Sequence, residues 1–319
     1  MRGSARIGCI GDLLVEFVCT SKNGRHLRAG QYAGPFPSGA PGIFIDQAAQ
    51  TGGDCIFLGA VGDDAFGRVE LERLASHGVD TRLIRIVNGV PTGTAFVSYN
   101  DDGSRDFVFN IALSAAGQFD CSADTIAALA AFNLDVMHVS GSSLGNPQMA
   151  AKVLGVCTAL HRLGVKISYD PNLRKELMAD PAYFDIVAEM MAMATLFLPS
   201  EEDAEALFPG QTLPEFAAAL FARGMSHVVL KKGALGAEGM NAAGEHFSLP
   251  AHQVDVMDPT GAGDCFCATF VTLTTTGQYT LAETMARANA AGALAVTKVG
   301  PMEGNSSLAT VEAFLAAQA

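Results

Sequence analysis

Asp258-Pro259-Thr260-Gly261-Ala262-Gly263-Asp264-Cys265-Phe266 follows an alternating segment, Gln253 to Met257, and precedes the apolar run Phe266-Cys267-Ala268-Thr269-Phe270-Val271. Pro259 disfavours helix at Asp258, whereas Phe266 to Leu273 has the apolar density of a buried helix. The spacing predicts a strand that hands over to a helix N-terminus through two glycines. At such an end the leading N–H groups lack intrahelical partners and the helix dipole presents its positive pole. Gly261 and Gly263 carry no Cβ, so a large anion can approach the backbone closely. Asp264 falls in the first helical turn, where its carboxylate faces the same anion. An isolated aspartate there would read as a helix cap or dipole partner. Two glycines and a preceding Asp-Pro-Thr shift the reading to a phosphate cradle with a carboxylate beside it, the makings of phosphoryl transfer.

Upstream, the chain alternates apolar strands with amphipathic helices. Ile7 to Asp12 reads as a core strand continued by Leu13 to Val18, and Lys22 to Pro37 as a polar loop or small hairpin. A helix is expected from Ser38 through Gln50, a buried strand at Asp54–Gly59 and a helix at Ala65–His77. Thr94–Tyr99 and Arg105–Phe109, joined by Asn100-Asp101-Asp102-Gly103, form a hairpin that breaks this rhythm and belongs in a small separate sheet. Strands follow at Leu134–Val139, Val165–Asp170, Thr195–Leu198 and His227–Leu230. Helices are expected at Pro147–Leu163, Ala182–Met193, Glu202–Leu207, Leu213–Arg223, Gly261–Thr275, Leu281–Val296 and Leu308–Ala317. Such alternation predicts one α/β domain over residues 1–319, a mostly parallel sheet with helices on both faces. Ligands bind beyond the carboxyl ends of strands in such sheets. Asp12, Ser140-Gly141, Asp170 to Arg174, Ser200 and Lys231-Lys232-Gly233 all lie at that edge.

Composition narrows the function. The 319 residues are 49% hydrophobic and 17% charged, with a formal charge of -13. An acidic chain lacks the dense Lys/Arg surface that nucleic acid demands, yet a nucleotide needs only local donors. No apolar run reaches the ~20 residues that span a bilayer. The first residues enter a strand without the layout of a secretory leader, so a cytoplasmic protein is expected. Seven cysteines without a C-x-x-C pair read as reduced, mostly buried thiols; Cys265-x-Cys267 is too close and too short of ligands for zinc.

Rival motifs fail. No G-x-x-x-x-G-K-[ST] is present, which removes the P-loop, and Gly261-Ala262-Gly263 is not the start of a G-x-G-x-x-G dinucleotide fingerprint. Gly141-Ser142-Ser143-Leu144-Gly145 matches the hydrolase G-x-S-x-G. However, Asn146-Pro147 starts the next helix too late for a nucleophile elbow.

Together these residues resemble the PfkB (ribokinase-like) carbohydrate kinases along nearly the whole chain. Asp258 to Phe266 is similar to the family's C-terminal signature, and Ser38-Gly39-Ala40-Pro41 with Gly59 to Gly67 to its N-terminal one; Thr92-Gly93, Asp170 to Arg174 and Asn289-Ala290-Ala291-Gly292 fall in order. The resemblance implies a ribokinase-like three-layer α/β/α fold with a small β-sheet lid, built from roughly 13–37 and 90–112. It implies Asp264 as the base for a sugar hydroxyl, with the N–H groups of Gly261, Ala262 and Gly263 stabilising the transferred phosphoryl group. Asp12, Gly39, Ala40, Phe109 and Arg174 would bind the sugar or lie near the phosphates. Lys231, Gly233, Gly236 and Asn289 would line ATP. Asp258 and Thr260 would hold a monovalent cation such as K⁺, and Asp203 would act indirectly on Mg²⁺. It also implies pairing of lids in a homodimer.

Two motifs depart from the family pattern. Ile43 stands where an asparagine contacts the sugar, and Ser200 and Asp203 replace the asparagine and glutamate of N-x-x-E. Kinases of 2-keto-3-deoxygluconate carry an arginine three residues before Ser-Ala-Ala to pair the carboxylate; here that residue is Ile111. The expected substrate is a neutral ketohexose, fructose- or tagatose-like, phosphorylated on a primary hydroxyl. The alternatives are a 2-keto-3-deoxygluconate-type kinase, with Arg105 or Arg28 as the cation, and a non-catalytic sugar-binding relative.

Overall fold

The computed structural model describes residues 3–24, 26–102, 104–173, 177–178 and 180–318; Arg174 lies outside the described residues. In chain order the strands are β1 (Arg6–Ile10), β2 (Leu14–Cys19), β3 (Tyr32–Ser38), β4 (Asp54–Gly62), β5 (Ile84–Val87), β6 (Gly93–Tyr99), β7 (Arg105–Asn110), β8 (Val136–Ser140), β9 (Lys166–Asp170), β10 (Ala194–Phe197), β11 (His227–Lys231), β12 (Ala237–Asn241) and β13 (His246–Leu249). The helices are α1 (Ala40–Gln50), α2 (Ala65–Ser76), α3 (Ala123–Ala131), α4 (Pro147–Arg162), α5 (Pro181–Met193), α6 (Glu201–Leu207), α7 (Leu213–Phe221), α8 (Ala262–Thr276), α9 (Leu281–Ala295) and α10 (Leu308–Gln318).

Nine strands form one sheet in the order β13-β12-β11-β10-β9-β8-β1-β4-β5. It is parallel from β5 to β11 and antiparallel only in the hairpins β11-β12-β13. Strand alternation gives each face its own core. Ile10, Leu58, Met137, Val139, Ile167 and Phe197 pack with residues of α3, α4, α5 and α7 on one side. Ile7, Cys9, Phe57, Val136, Leu196 and Val229 pack with residues of α1, α8 and α9 on the other. From β1 the chain runs outward to β4 and β5, then returns through β8 on β1's opposite side. The carboxyl ends of β1 and β8 therefore flank a topological switch point, where open α/β sheets form a crevice.

The second sheet has the order β3-β2-β6-β7, with β2 and β6 parallel and the other pairs antiparallel. Two sequence expectations need correcting here. The run Ile7 to Val18 is two strands in different sheets, broken at Gly11-Asp12-Leu13; a Cβ on Gly11 would lie 2.2 Å from Ser143 Oγ and 2.5 Å from Pro41 Cγ. Apolar residues continue across the break because both sheets bury them. Gln253 to Met257 is not a strand. Its end is tied instead by Met257 N–H and Asp258 N–H, both donating to Val296 O (2.8 and 3.2 Å), so the glycine stretch enters from a loop anchored on the end of α9.

Candidate active site

Gly261 caps α8 with φ of 86°, and a Cβ there would fall 2.6 Å from Pro301 O and 3.2 Å from Ile43 Cγ2. Both the backbone angle and the close approach require glycine. The first rung of the helix is Cys265 N–H donating to Gly261 O at 2.9 Å. The amides of Ala262 and Gly263 lie ahead of that rung, at the positive end of a 15-residue helix. Asp264 is in this turn and partly exposed.

Lys231, at the end of β11, brings a cation to the same place. A Cβ on Gly263 would lie 3.5 Å from Lys231 Nζ. The ammonium donates to Asp170 Oδ2 at the end of β9 and sits 3.4 Å from Cys267 Sγ. Burial works against this charge, but the Asp170 carboxylate outweighs it and raises the Lys231 pKa. Asp170 Oδ1 is buried and finds no hydrogen-bond partner among the described residues. Nearby, Asp203 closes a capping box at α6: its Oδ2 accepts from Ser200 N–H (2.9 Å) and Oγ–H (2.7 Å), and its Oδ1 from Leu173 N–H (2.8 Å). Asp203 also acts electrostatically on Asp170. An orphaned carboxylate oxygen beside a second, fully engaged carboxylate fits a hydrated Mg²⁺ held chiefly by phosphates.

Asp12 follows β1 at the switch point. Ser143 Oγ–H donates to its Oδ1 at 2.7 Å and also accepts from its N–H at 3.4 Å. A Cβ on Gly39 (φ 101°) would lie 2.6 Å from Asp12 O, so Gly39 and Ala40, which open α1, close on the same turn. Asp12 and Asp264 meet electrostatically on the Cys9 thiol, whose pKa burial raises first and both carboxylates raise further. Ser143 comes from the G-x-S-x-G match. Gly141–Leu144 is a 3-10 turn and α4 begins only at Pro147, capped by Asn146, so the serine orients an aspartate. Ile43 is buried with Cys265, Ala295 and Met302 behind Gly261, an apolar support for the cradle.

The second sheet turns one face toward this region. Pairing places Tyr99 opposite Arg105, Val97 opposite Phe107 and Ala95 opposite Phe109, all on that face, with Glu16 beside Ala95. Phe109 stacks on Phe107 at 5.1 Å. Tyr99 donates to Asp258 Oδ1 and lies 3.1 Å from Thr260 Oγ1. Asp258 is fully buried, accepts further from Thr260 N–H (2.9 Å) and Gly300 N–H (3.0 Å), and forms no ion pair with lysine or arginine among the described residues. A buried carboxylate with a neighbouring hydroxyl and no cationic partner fits a monovalent cation. Neither Tyr99, Ser143 nor Glu16 was singled out by sequence; Ser143 alone lay in a flagged motif.

Glu16 gives a pH signature. Burial, with the charge of Asp258 adding, pushes its carboxyl from 4.5 up to about 8, against Arg105 and Ser38. Its Oε1 has no partner among the described residues. The folded pKa is raised, so the stabilising protonation is complete below about 4.5 and is lost as pH climbs through about 8. Glu16→Gln removes that loss. Relative to wild type, its unfolding free energy is expected to rise across this window by on the order of a few kcal/mol and then level off. Urea unfolding at several pH values checks it; a pH-independent difference would contradict the assignment.

The nucleotide-side candidates flank the other side of Lys231. Gly233 and Gly236 have φ of 52° and 100°, and a Cβ on Gly236 would lie 1.9 Å from Leu249 O. Lys232 N–H closes this turn on Gly236 O at 2.8 Å. Asn289 of α9 donates to Pro250 O (2.7 Å), fixing the segment after β13. A Cβ on Gly292 would lie 3.1 Å from Ala262 O, so α9 reaches the cradle closely.

The description "pfkB family carbohydrate kinase" matches residues 4–308. A fructokinase of Klebsiella pneumoniae is 31% identical over 307 residues, covering 94% of this chain and 95% of that one. An Escherichia coli structure described provisionally as ribokinase II superposes with a TM-score of 0.91 at 36% identity, covering 98% of this chain and 99% of that one; it is also solved with ATP and Mg²⁺ (TM-score 0.90). A Vibrio cholerae fructokinase variant bound to fructose, ADP and potassium superposes at 0.82 with 26% identity, over 99% of this chain and 100% of that one. The family match spans residues 4–308, and the chain is a member of the pfkB family of carbohydrate kinases.

Proposed function

We propose that the enzyme transfers the γ-phosphoryl group of ATP to a primary hydroxyl of a neutral ketohexose, fructose-like, with Asp264 as general base. The observation that carries this reading is the order of charges along the strand ends. Asp12 follows β1, while Lys231 ends β11, four strands along the same sheet, and reaches Gly263 of the cradle. Sugar on the Asp12 side and phosphates on the Lys231 side put Asp264 between them. Bound Mg²⁺ would neutralise charge on the phosphates. The chain's own contribution is positional and electrostatic. Ser143 holds Asp12 toward a sugar hydroxyl, and the second sheet, as a lid carrying Phe109, excludes water. Asp264 takes the proton of the attacking hydroxyl. The amides of Ala262 and Gly263 and the Lys231 ammonium stabilise charge developing on the phosphoryl oxygens. Asp258 and Thr260 supply the cation site, and Gly233, Gly236 and Asn289 shape the nucleotide's resting place.

Fructokinases among the relatives support a ketohexose. So does Ile111, whose carbonyl accepts from Ser114 N–H and Oγ–H, with an apolar side chain where a keto acid would need a cation. Arg105 lies over the Phe107 ring instead, 5.6 Å from its centroid. A panel of fructose, tagatose, ribose and 2-keto-3-deoxygluconate with Mg-ATP tests the reading, with turnover highest on a ketohexose. Turnover on the keto acid alone would overturn the substrate, and no turnover on any sugar would leave a sugar-binding protein without catalysis.

A further inference from the structure

Asp258 opens the loop that ends in the cradle, and both of its oxygens are held by parts of the chain that the lid touches. Oδ1 accepts from Tyr99 of lid strand β6, and Oδ2 accepts from Gly300 N–H at 3.0 Å. Gly300 in turn lies under Phe36 of lid strand β3, where a Cβ would be 2.7 Å from the Phe36 ring. Tyr99 also meets Thr260, the residue before the cap glycine, at 3.1 Å. At the other end of the lid, Asp12 is two residues from the start of β2, so a sugar held there sits at the lid's root.

We propose that Tyr99 is a positioning residue through which the lid sets the anion cradle, so that sugar under the lid and nucleotide on the cradle favour each other's binding. The proposal rests on the reading of Gly261 to Gly263 as the phosphoryl site. A buried carboxylate without a cationic side-chain partner depends on its hydrogen-bond donors for its place. Of the two donors on Oδ1, Thr260 N–H belongs to the loop itself and the Tyr99 hydroxyl to the lid, and two residues separate Asp258 from Gly261. Linkage makes the effect reciprocal: whatever the sugar adds to nucleotide affinity, the nucleotide adds to sugar affinity.

Tyr99→Phe removes the hydroxyl and keeps the ring. In wild type, fructose is expected to tighten binding of a non-hydrolysable ATP analogue about tenfold, within the usual range of such couplings. In Tyr99→Phe the factor is expected to fall below about twofold while each ligand alone binds within about twofold of wild type. Amide hydrogen exchange of the segment 257–263 in the free protein is expected to quicken about tenfold. Phe36→Ala, which leaves Tyr99 intact, is expected to weaken the coupling less. A tyrosine that merely supports the fold would lower both affinities together and leave their coupling unchanged, and that result would overturn the proposal. So would loop exchange equal to wild type. If wild type turns over no sugar, the functional reading fails on its own, and the exchange difference still decides whether Tyr99 holds the loop.

Discussion

Asp264→Asn is expected to lower kcat by at least ~10² while sugar affinity stays within about threefold of wild type. The substitution keeps size, hydrogen-bonding shape and helix position, and removes only the ability to accept a proton. Asp264 occupies the third position of α8 after the cap, where an amide still tolerates the helix end, so the fold should not confuse the result. Its loss should therefore appear in the chemical step, measured by initial rates and by calorimetric titration with fructose. Turnover equal to wild type would remove Asp264 from the reaction. A parallel fall in sugar affinity and kcat would instead make it a binding residue.

Lys231→Met is expected to affect stability and catalysis through different partners. Lys231 and Asp170 are 14% and 3% exposed at their side chains. Removing the ammonium leaves a buried carboxylate without its cation, a change that typically destabilises by about 3–5 kcal/mol. Catalysis should fall by about 10²–10³, the loss seen when a preorganised donor is taken from a developing anion. Lys231→Met combined with Asp170→Asn, compared with Asp170→Asn alone, separates the two. The second change removes the stranded charge, so most of the stability should return while kcat/KM for ATP stays low. Recovery of activity along with stability would mean that Lys231 serves only to neutralise Asp170.

The legible part of this molecule was whatever repeats or is local. The core strands β4, β8, β9, β10 and β11 and helices such as α2, α4 and α8 follow from apolar runs of the right length and period, with ends within a few residues. Asp12, Asp170 and Lys231 could be grouped because the parallel sheet places its strand ends along one edge. The short strands β5, β12 and β13 were not foreseen, since Ile84–Val87 is only four residues and β12 carries Glu238 and Gly239. β3 was hidden by Pro35 and Pro37, which an edge strand tolerates. Ile43 was read as a gap in sugar contacts; its place behind Gly261 depends on packing between α1 and α8. Tyr99 illustrates the same limit: alternation gives its face, while its partner lies 159 residues away.

The order of strands in the small sheet has a consequence for how the protein folds. β2 and β6 lie side by side and parallel, yet β3, α1, β4, α2 and β5 come between them in the chain. Closing so large a loop is entropically unfavourable until other contacts have already brought its ends together. The pairing of β1 with β4 does this, since β2 follows β1 and β6 follows β4 and β5 in the chain. The small sheet is therefore expected to form late in folding, on a core already assembled rather than nucleated by itself. It cannot be deleted or transplanted as one continuous piece, because its strands come from two separate stretches of the chain.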